Sequence, residues 1–235
     1  MSPQPMLDPE ALEPDWDLPR GQHRLPREVV SRNQRLRLVA GVARAMAEHG
    51  YARLTVEHVI AAAGVSRATF YEHFDNKQQA VLAAHDVVFE RFLGALLRSC
   101  NGAAEWPLKV KAAIHTTLAF ALAEPEQAQL LALDALAGDA NVTSRVLASS
   151  DHLAALLSAG RQYNPRGPEL PALTEKALVG AVSAIVAGRL MNGEPETLPE
   201  LEPQLVELIL IPYLGPGEAS RVAKGPAARD GFHNR

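Results

Sequence analysis

The chain has 235 residues, enough for one large domain or two small ones around a sizeable core. It is 47% hydrophobic but only 5% aromatic, so its interior must be built from Ala, Leu and Val, a composition that favours closely packed helices. One cysteine, Cys100, excludes an internal disulfide and a cysteine-based zinc site, and a net charge of −4 argues against a nucleic-acid partner until it is divided along the chain.

That division is uneven. Residues 1–19 hold five acids and no base, residues 20–77 carry a net charge of +5, and residues 78–235 carry −4. One base-rich segment is the footprint expected where one end of a protein approaches phosphates. The first 19 residues contain five prolines and no apolar period, which predicts disorder and is the opposite of a signal peptide. A basic arm follows, with Arg20, Arg24, Arg27, Arg32, Arg35 and Arg37. It is either a solvated stretch or an arm that follows phosphates or enters a minor groove, with Arg24 and Arg27 as the candidate contacts. Residues 1–28 are thus expected to be a disordered segment plus this arm. The first helix is predicted over 29–49, with Leu36, Ala40, Ala43 and Ala47 on one face and Gly50 as its stop.

Residues 54–77, LTVEHVIAAAGVSRATFYEHFDNK, carry the same start signal twice. Thr55 is an N-cap with Leu54 before it and Val59 after it, and Ser66 is an N-cap with Val65 and Phe70 in the same places. Each arrangement is a hydrophobic staple that sets the angle of chain entry. Gly64 supplies the left-handed residue between them. Two short helices joined this way make a helix-turn-helix over 55–74. In the second helix Phe70 and Phe74 point inward. Arg67, Ala68, Thr69, Tyr71, His73 and Lys77 are left on a donor-rich face suited to a DNA major groove.

This stretch resembles the tetracycline-repressor (TetR) family of transcriptional regulators. The match runs through Thr55, Val59-Ile60, Ala63-Gly64-Val65-Ser66, Thr69-Phe70-Tyr71, His73-Phe74 and Asn76-Lys77, within about residues 32–92. The resemblance implies an all-α protein: a three-helix DNA-binding domain over 32–92, then a helical ligand-binding and dimerisation domain over 93–214. On the recognition helix Ser66 offers its hydroxyl to a phosphate while capping. Arg67 and Thr69 are expected at base edges or adjacent phosphates, with the small Ala68 between them. Tyr71, His73 and Lys77 are expected to hold the DNA backbone, as is Thr55. Glu72 either accepts from a cytosine amine or avoids the groove, and both remain open.

From Asn76 a long helix is predicted to run to about Ser99. In the family such a helix is the lever between ligand and DNA-binding heads. Further helices are predicted over 106–123, 126–137, 142–160, 173–192 and 199–213, with a loop over 160–171 and a disordered tail over 215–235. Along 173–192, Ala177, Gly180, Ala181, Ala184, Ala187 and Gly188 form a seam of small residues. That seam packs either within the chain or against a symmetry mate, where Gly180, Ala181, Ala184 and Gly188 would join Leu205 and Leu208 of the last helix in a four-helix homodimer interface.

No catalytic constellation stands out, so no enzyme activity is assigned. His85, His115 and His152 fall on different predicted helices without ligand spacing, so no metal and no cofactor are expected. The resemblance implies an unknown small-molecule ligand inside the second domain. Phe89, Phe92, His115, Phe120 and Asp134 are the candidate wall residues, with Asp134 facing either the cavity or solvent. No apolar run reaches membrane length; Ala177 to Gly188 is 12 residues between two charges. The expectation is a cytoplasmic, homodimeric regulator that binds double-stranded operator DNA, most simply a repressor released by its ligand. An activator of the same fold is the alternative, and so is a helical ligand-binding protein or enzyme without DNA binding.

Overall fold

The computed structural model describes residues 27–132, 139–164 and 169–225. Among these, ten α-helices and two longer 3-10 turns pack without any strand. Helix α1 runs Arg27–Arg53, α2 Val56–Ala63, α3 Arg67–His73 and α4 Lys77–Asn101. The expected stop at Gly50 appears as a sharp break, with φ 67° and ψ 162°, after which one more helical turn carries Tyr51 into the core. Leu38, Val42 and Met46 of α1 bury one stripe against α2 and the first half of α4. Both staple pairs belong to this cluster: Leu54, Val59 and Phe70 are buried, and Val65 packs at its edge. α1 and α2 cross so closely that a Cβ on Gly41 would lie 2.6 Å from the Ala63 Cβ.

The body begins along α4 and continues through α5 (Trp106–Ala123), α6 (Pro125–Leu131), α7 (Ala140–Leu157), α8 (Thr174–Met191), α9 (Glu202–Leu214) and α10 (Pro216–Lys224). A second cluster fills it, with Ile114, Leu118, Leu178, Val182, Val206 and Leu210 among its members. Phe120 packs on both clusters and links head to body. The predicted loop after 160 begins later than expected, because a 3-10 turn spans Ser158–Tyr163. Gly160 is needed there: a Cβ would sit 2.1 Å from the Trp106 ring. The last predicted helix likewise starts as a 3-10 turn at Pro195–Leu201 before α9.

The disordered tail expected over 215–235 is corrected over its first half. Gly215 turns the chain at φ 75°, Pro216 opens α10, and Ala219 and Ala223 are buried against α9. The reason lies far away in sequence. Lys111, buried in α5, donates from Nζ to the carbonyls of Ala223 (3.1 Å), Val222 (3.3 Å) and Gly225, and so closes the C-terminal end of α10. A second polar node ties the base of α8. Buried Glu175 takes both Arg161 Nε and Nη2 at 2.7 Å, and the Tyr213 hydroxyl donates to it at 3.1 Å. The Arg161 hydrogen bonds hold the Glu175 carboxyl below its usual range, while burial pushes the Tyr213 hydroxyl upward. Among the described residues no helix is long and apolar enough to cross a membrane, and no group of three His, Cys, Asp or Glu side chains could hold a metal ion.

Candidate nucleic-acid interface and ligand cavity

The helix-turn-helix is set by three side-chain caps in succession. Thr55 Oγ1 accepts from the His58 amide at 3.2 Å, Ser66 Oγ from the Thr69 amide at 3.0 Å, and Asn76 Oδ1 from the Gln79 amide at 2.9 Å. Gly64 ends α2 at φ 61°, ψ 41°, the left-handed cap. Two arginines of α1 serve the same junction: Arg37 donates to the Gly64 carbonyl and Arg44 to that of Ala62. Part of the basic charge counted in the sequence is therefore engaged at the end of α2, where the helix dipole also favours it.

On α3, Phe70 is 0% exposed while Arg67, Ala68, Tyr71 and Glu72 face outward. The Arg67 guanidinium pairs with Glu57 of α2 and lies 5.6 Å from the centre of the Tyr71 ring. Hydrogen bonding to its own backbone amide, with Arg67 adding to it, keeps the Glu57 carboxyl low. Arg67 is thus extended along the outer surface, and any DNA contact must compete with Glu57. Ser66 Oγ is also 2.9 Å from Thr69 Oγ1, so both hydroxyls already have a partner.

Two of the expected backbone holders also turn polar atoms into the head. Lys77 is built into the head: its ammonium donates to the carbonyls of Leu54 (2.9 Å) and Tyr51 (3.3 Å) and sits 5.0 Å from the Tyr51 ring centre. As the first residue of α4 it lies beneath the corner where those carbonyls point, so most of its donor capacity turns inward. His73 buries Nε2 without a hydrogen-bond partner and so does not present that atom outward. Arg24 lies outside the described residues, and Arg27 is the first residue of α1.

In the body, α4, α5, α6, α7, α8 and the 3-10 turn at 158–163 line a half-open cavity of about 520 Å³. Phe89, Phe92 and Phe120 line it. His115 does not: its Nδ1 is 2.8 Å from Glu202 Oε2, on a different side of α5. Asp134 lies outside the described residues. Sequence reasoning missed Trp106, Ile114, Leu153 and Val182, together with the hydroxyls of Ser150 and Ser183. The available signal was the set of serines interrupting the apolar faces of two helices. Among the described lining residues Lys109 is the one charged side chain.

The small-residue seam of α8 points out of the chain. A Cβ on Gly180 or Gly188 would meet nothing within 4 Å, and Gly180 and Ala184 are exposed with Ala181 half-buried. Leu208 is 38% exposed beside it on α9, but Leu205 is 3% exposed in the body core. Its inclusion in an interface is corrected, since its side chain faces inward with Ile209. Ile185, Met191 and Ile211 are exposed apolar residues on these helices that the sequence reading passed over.

Comparison with known proteins bears on the head. Residues 38–84 match the family model described as bacterial regulatory proteins, tetR family. The chain carries a tetR-family head. Beyond it, the fold over three quarters or more of the chain is similar to solved structures of transcriptional regulators. The fatty acid degradation regulator FadR from Bacillus halodurans superposes with a TM-score of 0.65 at 21% identity, covering 75% of this chain and 94% of its own. FadR from Bacillus subtilis in complex with stearoyl-CoA gives 0.62 at 18% identity, covering 77% and 98%. A TetR-like transcriptional regulator from Rhodococcus sp. RHA1 gives 0.65 at 21%, covering 82% and 100%. Among curated proteins none matches the chain.

Proposed function

We propose that this protein is a homodimeric transcriptional repressor of the cytoplasm that binds a near-palindromic operator and releases it when a small molecule fills the body cavity. The observation that carries the reading is the doubly capped helix-turn-helix, whose α3 leaves Arg67, Ala68 and Tyr71 on its outer face while Phe70 locks the inner one. Paired α3 helices would enter successive major grooves, with Arg67 exchanging Glu57 for a base edge or phosphate and Thr55, Ser66 and Thr69 beside it. The seam of exposed Gly180 and Ala184 with half-buried Ala181 and Gly188, together with exposed Leu208 of α9, is the surface for the second copy.

A cavity of about 520 Å³ lies within the range that encloses drug-sized ligands. Its mostly apolar wall, with Lys109 as the one charged lining side chain among the described residues, favours a mainly apolar molecule that is neutral or singly negative. The similarity to a regulator solved with stearoyl-CoA makes molecules with an acyl chain the first to test. Ligand binding induces release only if it favours the state with low DNA affinity. The test is selection of bound fragments from the source genome by the purified chain. The reading expects a small set sharing two inverted half-sites; fragments without a common sequence would refute it.

A further inference from the structure

Asp139 caps α7 and also reaches the head. Its Oδ1 accepts from the backbone amides of Asn141 (3.0 Å) and Val142 (3.1 Å), which ties the carboxylate to α7. Its Oδ2 accepts from the Tyr51 hydroxyl at 2.7 Å, and Gln78 Nε2 donates to both oxygens at 2.9 and 2.7 Å. Tyr51 stands at the corner between α1 and α2, one residue after the break at Gly50, and Gln78 lies in the first turn of α4. Lys77 holds the Tyr51 and Leu54 carbonyls from beneath. One carboxylate therefore joins the entrance of the helix-turn-helix, the root of α4 and the first turn of α7.

The other end of α7 is cavity wall. Ser149, Ser150, Leu153 and Leu157 all line the cavity, and Ser150 lies about 15 Å along the helix from its start at 1.5 Å per residue. We propose that Asp139 is a positioning residue that couples the cavity to the DNA-binding head through α7. A helix moves as a rod over this length, so a ligand that displaces its cavity end also displaces Asp139. Hydrogen bonds weaken steeply beyond about 3.5 Å, so a shift of about 1 Å either drags Tyr51 and Gln78 or releases them. The protonation states suit such a latch. Burial and then Asp139 push the Tyr51 hydroxyl far up, so it stays a donor, while the Tyr51 hydrogen bond first and the α7 amide of Val142 next hold Asp139 low, so it stays an acceptor. This route is additional to α4, which runs unbroken from the head to the cavity.

The proposal rests on the reading of the cavity as the ligand site, and the experiment separates the two. Amide hydrogen exchange of residues 51–64 is measured on the full chain with and without saturating 1-anilinonaphthalene-8-sulfonate, an apolar monoanion, as probe. Tyr51→Phe combined with Gln78→Met cuts the latch from the head side and leaves the α7 cap intact. Asp139→Ser cuts it from the other side while keeping a capping hydroxyl. In the unaltered chain the probe is expected to change exchange of this segment about tenfold, the scale set by losing hydrogen bonds to a charged group. Both variants should bind the probe within about threefold of the unaltered chain, yet respond less than about twofold. A purely structural role would speed exchange in both states and leave the probe response undiminished, and that result overturns the latch. If Val182→Trp leaves the probe titration unchanged, the probe is not in the cavity; the ligand reading then fails, and the latch loses its input.

Discussion

In the head, the starts of α2, α3 and α4 are closed by side chains three residues from their partner amides: Thr55, Ser66 and Asn76. In the body the decisive polar contacts cross the chain. Lys111 reaches 112 residues to the Ala223 carbonyl, and Tyr213 reaches 38 residues to Glu175. The cores differ in where their aromatic rings sit. Both clusters are built mainly of Val, Leu and Ala, but the head sets Phe70 and Phe74 of one short helix into its centre, whereas the body places Trp106 and Tyr213 on separate helices. Local bonds specify a small, repeatable reading head from short sequence signals. Distant bonds instead hold a shell of helices around a cavity and leave its wall free to differ.

The strongest way to break this contrast is Phe70→Ala. Removing a fully buried ring should destabilise the head by about 3–5 kcal/mol and abolish DNA binding. Circular dichroism during heating should then show an early partial transition, with the body melting later; a single transition shifted down as a whole would mean that head and body are one cooperative unit, and an unshifted one would contradict the predicted cost. Next is Lys111→Ala. Three carbonyls at the end of α10 lose their partner, at a cost of about 1–3 kcal/mol. Limited proteolysis should then cut beyond residue 214 while leaving the head intact.

The pH dependence of the body should come partly from Glu175. Its carboxyl is lowered in the folded state, so its contribution is present above the unfolded value of 4.5 and is lost as pH falls through the folded one. Glu175→Gln should therefore lower the melting temperature at pH 7 and flatten the loss of stability between pH 5 and 3. An unchanged acid limb would remove Glu175 from the account. The smallest effect is expected from Ser66→Ala, about 1 kcal/mol through the lost cap of α3. It sharpens the contrast if the decline appears in DNA affinity with the body's melting unchanged.

The head was legible because its signals are short-range. Thr55, Ser66, Gly64 and the staple residues act within a few positions of themselves, so sequence spacing already expresses the geometry. The inward bonds of Lys77 were not legible for the same reason in reverse: the Tyr51 and Leu54 carbonyls belong to a corner that only the packed head brings beneath it. In the body, glycine and proline around 215–217 concealed α10, because the lysine that caps it sits more than a hundred residues earlier. The three cavity phenylalanines followed from apolar periodicity and family resemblance. His115 carried the same pattern and turned instead to Glu202. The latch at Asp139 had no sequence signal beyond an acidic residue before a helix.

The most direct test of the central claim, that α3 of this head reads DNA, is a salt titration of the unaltered chain and Arg67→Ala on one selected fragment and one unrelated fragment. The account predicts affinity for the selected fragment that falls steeply between 50 and 200 mM salt, by roughly 10³-fold or more if about six phosphates are engaged. It also predicts that Arg67→Ala loses about 1–3 kcal/mol on that fragment and far less on the unrelated one. Equal affinity for both fragments, untouched by Arg67→Ala, would contradict it.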